Sequence, residues 1–299
     1  MPRHRPSNKD TQSNRRYHDR VANRYDKIYD DPYWEFHDRV TWNHLKPLLP
    51  GNPQAAVLDL GCGTGKWGLK LLKAGYATTF VDLSQNMLAE VQKKLDDWKN
   101  TPDLAAKAAR ATVLQADATD LRALPENHFD LITAMGDVVS ICSNPAQCLS
   151  EVHRILKSPD PDKPTTAASR APNSPGGGGV FVFTVDNHLA AIDHFIDSGN
   201  LDALADFVKT GHTHWLTKNV NERFPVHMFT PAQIDSLTRS RGFEIISRIG
   251  KTIIPARQNR KLFEFDHAIE TLTALEGVLQ KDPAAAARAS HLQLAARKI

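Results

Sequence analysis

Three glycines, Gly61, Gly63 and Gly65, follow the apolar run "AVLDL" at alternate positions, and Asp59 lies two residues before the first of them. A glycine-rich turn at the end of a strand lets a ligand approach the backbone closely. The turn that binds a pyrophosphate has the spacing G-x-G-x-x-G, which here would require a glycine in place of Lys66. A carboxylate beside the turn would also repel phosphate and attract a cation. The spacing and the charge of this turn therefore predict a site for a cationic ligand.

Two further carboxylates end the next two predicted strands, Asp82 after "ATTFV" and Asp117 after "ATVLQA". In doubly wound folds an acid about 20 residues after the glycine turn accepts hydrogen bonds from a ribose diol. Asp82 has that separation, and Asp117 is placed to reach an adenine amino group. Each of the three acids alone could instead cap its own loop or the next helix. Together they predict a site for a positively charged nucleoside without phosphate, a description that S-adenosylmethionine fits.

The elements that must position these residues alternate between strand and helix. Short apolar runs predict strands, and the segments between them carry apolar residues at helical spacing. The predicted strands are "AAVLDL", "ATTFVDL", "ATVLQAD", "HFDLITAM", "GVFVFTVDN", "FEIISRIGKTII" and "SHLQLAARKI". This alternation indicates an α/β fold with a doubly wound, mostly parallel sheet. Before it, the aromatic-rich residues 17–50 predict two helices, broken near Pro32, that would form a lid.

Three segments fall outside this alternation. Residues 1–16 are basic and polar, which predicts a disordered arm, with a tail for an anionic partner or a transit peptide as alternatives. Residues 158–178 are rich in Pro, Gly, Ser and Thr, and they predict a flexible insertion before the fifth strand. Residues 188–230 hold two short predicted helices and no readable motif, and we expect this region to cover the substrate. No fixed-period repeat is present.

The composition narrows the class of protein. The 299 residues carry a formal net charge of only +3, so the total charge indicates no general attraction to nucleic acid or to membranes. No run of about 18 apolar residues is present, so we expect no membrane insertion. The three cysteines make no disulfide framework, which favours a reducing compartment and a cytoplasmic location. The oligomeric state is not predictable from these features.

The motifs "VLDLGCGTGKWGLKLLKAG", "VDLSQNML", "LQADATDL", "HFDLITAMGDVVS" and "CLSEVHRILK" resemble those of class I S-adenosylmethionine-dependent methyltransferases, and are similar to the ubiquinone/menaquinone-type branch. The resemblance implies a Rossmann-like, seven-stranded sheet whose last strand is antiparallel, within one domain at 17–299. It also implies a set of cofactor-binding positions. Around the methionine moiety these are Tyr25, Asp59, Gly61, Cys62 and Gly63; around the ribose and adenine they are Asp82, Leu83, Met87, Asp117 and Ala118. Met135 is expected to lie under the cofactor after the fourth strand. One departure is the long insertion before the fifth strand, which we expect to change the surface and not the chemistry.

Methyl transfer from a sulfonium requires alignment in a dry pocket, and a general base only where the nucleophile arrives protonated. Two residues are candidates for that base. Asp137 lies just past the fourth strand, and His227 precedes a predicted helix that starts at Thr230. Each also has an ordinary interpretation, as a turn cap for the aspartate and as a packed side chain for the histidine. His212 and His214 alone do not make a metal site, so no metal is predicted.

We expect an enzyme that methylates an O, N or S atom of a small-molecule acceptor. The alternative is an RNA or protein methyltransferase that holds its substrate with the basic arm. Against it, the fourth strand ends in "AMGD" and not in an "N-P-P-Y" motif, and no "P-C" nucleophile is present. A non-catalytic cofactor-binding module is also open, whereas Lys66 and Asp59 argue against a nicotinamide oxidoreductase.

Overall fold

The computed structural model describes residues 8–162, 177–215 and 219–299. Its helices, in chain order, are α1 (Asn8–Val21), α2 (Tyr25–Ile28), α3 (Pro32–Leu45), α4 (Lys66–Lys73), α5 (Gln85–Trp98), α6 (Pro102–Ala108), α7 (Val138–Ile141), α8 (Pro145–Ile155), α9 (His188–Asp197), α10 (Leu201–Thr210), α11 (Pro231–Arg239), α12 (Ala268–Leu279) and α13 (Pro283–Ala286). Its strands are β1 (Ala56–Leu60), β2 (Ala77–Asp82), β3 (Ala111–Gln115), β4 (Leu131–Ala134), β5 (Val180–Asp186), β6 (His212–His214), β7 (Pro225–His227), β8 (Phe243–Lys251) and β9 (His291–Lys298).

Seven of these strands form one sheet in the order β3-β2-β1-β4-β5-β9-β8. The first five of that order run parallel, and β9 is antiparallel to both β5 and β8. The prediction of a doubly wound, seven-stranded, mostly parallel sheet with an antiparallel last strand is confirmed. The chain leaves β1 toward β2 and later returns to place β4 on the other side of β1. This reversal is the switch point at which such sheets bind ligands, beyond the carboxyl ends of the strands.

The core has two layers because successive residues of a strand face opposite sides of the sheet. Leu58, Ile132 and Phe181 belong to the cluster on one side, and their neighbours Val57 and Leu131 to the cluster on the other. All five side chains are fully buried. Strands buried on both faces fit a parallel sheet covered by helices on each side. Their packing holds the last residue of each strand in place at the carboxyl edge of the sheet.

The N-terminal region differs from its prediction. Residues 8–16 are part of helix α1, so the prediction of a disordered arm at 1–16 is wrong for them; residues 1–7 lie outside the described residues. The predicted break near Pro32 is confirmed: α3 begins there, and the Asp31 side chain accepts hydrogen bonds from the backbone N–H groups of Tyr33 and Trp34. A proline at the first helical position and an aspartate before it are favourable at a helix start.

The segment 188–230 contains α9 and α10, as predicted, followed by a two-stranded antiparallel ribbon of β6 and β7. Residues 163–176, the centre of the predicted insertion, and residues 216–218 lie outside the described residues. Among the described residues, no helix has the length and apolar character needed to cross a bilayer.

Candidate functional site

A cavity of about 690 Å³, including the open space at its mouth, lies at the carboxyl edge of the sheet beside the switch point. Its walls come from the ends of β1 and β2, the loop after β3, the start of α7, and helix α1. Of the residues predicted to bind the cofactor, Tyr25, Gly61, Gly63, Asp82, Leu83, Asp117 and Ala118 line it. The structure thus brings together residues from four separate segments: three lie at the ends of β1, β2 and β3, as predicted, and Tyr25 comes from α2.

The glycine loop is shaped for close approach of its neighbours. Gly61 has φ +62°, and a Cβ added there would lie 2.3 Å from Cγ2 of Val138. Gly63 has φ +53°, and its N–H donates a 2.8 Å hydrogen bond to Oδ2 of Asp82. The left-handed backbone conformation and the closeness of the Val138 side chain both require glycine at position 61. The loop therefore packs directly against Val138 at the start of α7.

Asp82 joins this loop to the next element. Its Oδ2 accepts from Gly63, and its Oδ1 accepts a 2.8 Å hydrogen bond from the backbone N–H of Ser84. A carboxylate oxygen can accept more than one hydrogen bond, so both oxygens keep capacity for a diol. Burial raises the pKa of the Asp82 carboxyl, and the nearby imidazole of His18 and the two backbone N–H groups oppose that shift.

Asp59 does not line the cavity. It is 1% exposed, its Oδ2 accepts from the backbone N–H of Gly68 at 2.7 Å, and its Oδ1 accepts from the Thr133 hydroxyl at 2.9 Å. Desolvation raises the pKa of this carboxyl to about 7. The expectation that Asp59 places its charge at the mouth is wrong, because the side chain points beneath the loop and ties α4 to β4. The cavity takes its negative charge from elsewhere.

The charge that does face the cavity supports the same class of ligand. Asp82 and Asp117 are the carboxylates in its wall, and no Lys or Arg is among the described residues that line it. Asp117 also caps its own turn, since its Oδ1 accepts from the Thr119 backbone N–H and hydroxyl, both at 2.8 Å. A wall with two acids and, among the described residues, no Lys or Arg suits a cationic nucleoside and disfavours a pyrophosphate.

Three other predicted positions lie in the core. Cys62 packs in the cluster under α4 and α5, Met87 packs in a cluster with Val21 and Ala22, and Met135 packs beneath the end of β4. Each is less than 9% exposed, and none of the three is part of the cavity wall. Their assignment as cofactor contacts remains a prediction of the resemblance.

Helix α1 contributes cavity residues that the sequence reasoning missed. Thr11, Asn14 and His18 line the cavity, and Nδ2 of Asn14 donates a 3.1 Å hydrogen bond to the carbonyl of Ile141. Further along, Oδ1 of Asp19 accepts a 2.6 Å hydrogen bond from the Ser84 hydroxyl. The helix is strongly polar, and it is docked by hydrogen bonds over the cavity, so the hydrophobic pattern carried no signal for it.

The two candidate bases are placed very differently. Asp137 follows Gly136 and precedes Val138, both in the cavity wall, and it adopts φ +55° at the start of α7. Its Oδ2 lies 3.7 Å from Nε2 of His291. His227, in contrast, stacks between His212 and Phe229 and does not line the cavity.

Burial lowers the pKa of His227 to about 4. Because its ring is stacked between His212 and Phe229, away from the cavity, the structure does not bring His227 to the candidate site.

Comparison with known proteins agrees with this geometry. Residues 57–159 match the family described as "Methyltransferase domain". A protein of Geobacillus sp. (strain WCH70) is 31% identical over 139 residues, 44% of this chain and 50% of that protein. The demethylmenaquinone methyltransferase of Chlamydia felis is 29% identical over 141 residues, 46% of this chain and 54% of that enzyme. The chain thus spans about half the length of these relatives.

Among solved structures, phosphoethanolamine N-methyltransferase 2 of Haemonchus contortus, in complex with phosphomonomethylethanolamine and S-adenosylhomocysteine, superposes with a TM-score of 0.53. It is 17% identical and covers 98% of this chain and 60% of that chain. At this identity the likeness shows the fold alone. The match identifies residues 57–159 as a methyltransferase domain, and the superposition shows that the chain has the fold of this methyltransferase structure.

Proposed function

We propose that this chain is a methyltransferase that uses S-adenosylmethionine and transfers its methyl group to an O, N or S atom of a small molecule. The observation that carries the proposal is the cavity at the switch point, with Asp82 and Asp117 in its wall and no Lys or Arg among its described residues. When bound, S-adenosylmethionine supplies an electrophilic methyl group on a good leaving group. The residues present fit it, because the glycine loop admits close backbone contact and the acids complement its positive charge.

The chain's own contribution is to orient the two reactants and to exclude water. Asp82 would hold the ribose diol, Asp117 and Ala118 the adenine edge, and Gly61 and Gly63 the methionine moiety. Tyr25 would close the methionine end. Burial, with a smaller contribution from Tyr29, raises the pKa of Tyr25 well above its usual value, so its hydroxyl stays neutral. Correct positioning of this kind is worth about 7–11 kcal/mol of a reaction barrier.

Asp137 is the proposed proton acceptor for a nucleophile that arrives protonated. It is flanked by two residues of the cavity wall, and its carboxyl is partly exposed, with 22% of the side chain accessible. A base must come within hydrogen-bond reach of the proton that it removes. His227 is not proposed for this role, because it lies away from the cavity.

A small acceptor is favoured over RNA or protein by the position of α1. Two basic residues of α1 are used within the chain: Arg20 pairs with Glu222 at 2.5 Å, and Arg16 donates a 3.1 Å hydrogen bond to the carbonyl of Asn221. Arginines held by such contacts are less available to a phosphate backbone. The name of the Chlamydia felis relative also denotes a small-molecule substrate.

The cofactor is tested by calorimetric titration of the purified chain with S-adenosylhomocysteine and, separately, with NAD⁺. We expect the first to bind and the second not to bind. The acceptor class is then tested by incubating the chain with methyl-labelled S-adenosylmethionine and an extract of the source cells, and by separating products by size. Label in a small metabolite supports the proposal, whereas label confined to RNA or protein would overturn its acceptor class. NAD⁺ binding without S-adenosylhomocysteine binding would overturn the cofactor.

A further inference from the structure

A row of polar residues continues along the carboxyl edge of the sheet, beyond the half that holds the cavity. Asp186 at the end of β5 pairs in register with His291 at the start of β9, and His291 pairs with Lys251 at the end of β8. Asp137, after β4, joins them from the side of the cavity. Four neighbouring strands thus place two carboxylates, one imidazole and one amine at the same edge of the sheet.

The side chains of this polar row, Asp137, Asp186, His291 and Lys251, converge. Nε2 of His291 lies 3.7 Å from Oδ2 of Asp137 and 3.8 Å from Oδ1 of Asp186. From α3, the ring of His37 packs edge-on against His291, with 5.7 Å between the ring centroids. The side chains of Asp137, Asp186 and His291 are 22%, 24% and 17% exposed, so the row is open to solvent at its aspartate end.

Lys251 is the unusual member of the polar row. The residue is fully buried, and its Nζ makes no hydrogen bond with any described residue. Asp137, Asp38 and Asp186 act on it electrostatically, while desolvation lowers its pKa. Nearly all buried polar groups in proteins have a hydrogen-bond partner, and a buried cation without one is costly. Nζ is therefore free to donate to an acceptor or an anion that the described residues do not supply.

We propose that the polar row is the acceptor end of the active site, and that Lys251 binds an ionised oxygen of the methyl acceptor, such as a phenolate, an enolate or a carboxylate. This inference rests on the proposed function and narrows it to oxygen methylation. If the acceptor arrives as a hydroxyl, its proton passes to the Asp137 carboxylate and the O–H electron pair stays on the acceptor oxygen, which Nζ then stabilises.

An amine acceptor meets a charge conflict. A protonated amine would be placed against the Lys251 ammonium, and the repulsion would be large at a buried position. The same objection applies to a metal ion. One ligand atom from each of Asp137, Asp186 and His291 lies within 4.8 Å of the others, a spacing that would admit a cation. The unpaired Nζ beside them argues for an anion instead.

The test uses the full chain saturated with S-adenosylhomocysteine, titrated with benzoate as the anionic probe and with benzylamine as the cationic one. We expect benzoate to bind at least about tenfold more tightly than benzylamine, as one charge-assisted hydrogen bond would give. Lys251→Met should remove that preference, and Lys251→Arg should retain part of it. Lys157→Met is the matched control, because Lys157 pairs with Asp130 at the opposite edge of the sheet and is 46% exposed.

The outcomes distinguish a failure of this inference from a failure of the proposed methyltransferase function. If S-adenosylhomocysteine does not bind the unaltered chain, the proposed function fails. If it binds but benzoate shows no advantage over benzylamine, or Lys251→Met keeps the advantage, the acceptor assignment is overturned. The acceptor assignment would also be overturned if Mn²⁺ bound the unaltered chain and did not bind Asp186→Asn. That result would show that the polar row is a metal site and not an anion site. Should Lys251→Met fail to fold, the comparison of Lys251→Arg with the unaltered chain decides.

Discussion

Asp82 links the glycine loop, the end of β2 and the start of α5 through its two carboxylate oxygens. We expect Asp82→Ala to weaken S-adenosylhomocysteine binding by more than about tenfold, because charge-assisted hydrogen bonds to the ribose are lost together with the anchor of Gly63. Calorimetric titration measures the effect. Asp97→Ala, at an exposed position on α5, is the control and should leave affinity unchanged. Equal affinities in the two variants would remove the ribose role of Asp82.

Gly61 is constrained twice, by its positive φ and by the side chain of Val138. Gly61→Ala should therefore destabilise the fold by about 1–3 kcal/mol, as overpacked sites do, and should weaken S-adenosylhomocysteine binding as the loop shifts. Urea unfolding and calorimetry measure the two effects. Gly51→Ala is the matched control, since an added Cβ there meets nothing within 4 Å. A Gly61→Ala protein with the stability and affinity of the unaltered chain would contradict this account of the loop.

At the residue scale, the sequence predicted the features that depend on position along a strand and missed those that depend on side-chain orientation. Asp82 and Asp117 reach the cavity because the ends of parallel strands share one edge. The same reasoning put Asp59 at the mouth, but spacing does not say whether a side chain lies above or below the turn. Lys251 and His291 were not singled out, because their meeting depends on the register of antiparallel strands about 40 residues apart in sequence.

At the scale of elements, α1 shows that a helix can dock largely through polar contacts, with apolar contacts from Val21 and Tyr17 at its C-terminal end. Asn14, only 8% exposed, anchors it to the carbonyl of Ile141, and Asp19 anchors it to Ser84. Polar composition usually indicates disorder, because such a segment buries too little apolar surface to order itself. Here the compensating hydrogen bonds come from α5 and α7, distant in sequence, and no local pattern reveals them. The strands were predicted well for the opposite reason, since their burial is local and periodic.

The position of α1 predicts a direct effect on the cofactor site. Asn14→Ala should weaken S-adenosylhomocysteine binding by about five- to tenfold, because removal of a buried hydrogen bond costs about 1 kcal/mol or more and loosens one wall of the cavity. Ser13→Ala is the control, since the exposed hydrogen bonds of the Ser13 hydroxyl, with Lys9 and Arg16, stay within α1. Affinities are measured by calorimetry at one salt concentration. Equal binding by both variants would mean that α1 is not part of the site.

At the scale of the whole molecule, the sheet divides at β1 into two halves with different chemistry. β1, β2 and β3 supply the glycine loop and the acids of the cavity, whereas β4, β5, β9 and β8 supply the polar row. The antiparallel strand β9 makes this possible, because it places its first residue, His291, between β5 and β8 at the ligand edge. The sequence predicted the strands and the alternation, while the antiparallel direction of the last strand came from the family resemblance and not from any local pattern.

Stability of the whole fold should carry a pH signature from Asp59. Its pKa in the folded chain is about 7 against 3.8 unfolded, so the folded state holds a proton that the unfolded state releases between about pH 4 and 7. The free energy of unfolding therefore falls as pH rises through that window and stays level above it. At 1.36 kcal/mol per pKa unit, the contribution to this fall is at most about 4 kcal/mol.

Asp59→Asn isolates the contribution of Asp59 to the free energy of unfolding. The amide cannot ionise, and it still offers an oxygen to Gly68 and an N–H to the Thr133 hydroxyl. Urea unfolding at pH 5, 6, 7 and 8 should show the variant gaining stability relative to the unaltered chain as pH rises. Asp186, whose pKa burial also raises, titrates in both proteins and cancels in the difference. Asp97→Asn, an exposed change on α5, should give a difference that does not depend on pH. Parallel curves for Asp59→Asn and the unaltered chain would show that Asp59 ionises normally, and the loop would then carry a full negative charge beneath the cofactor site.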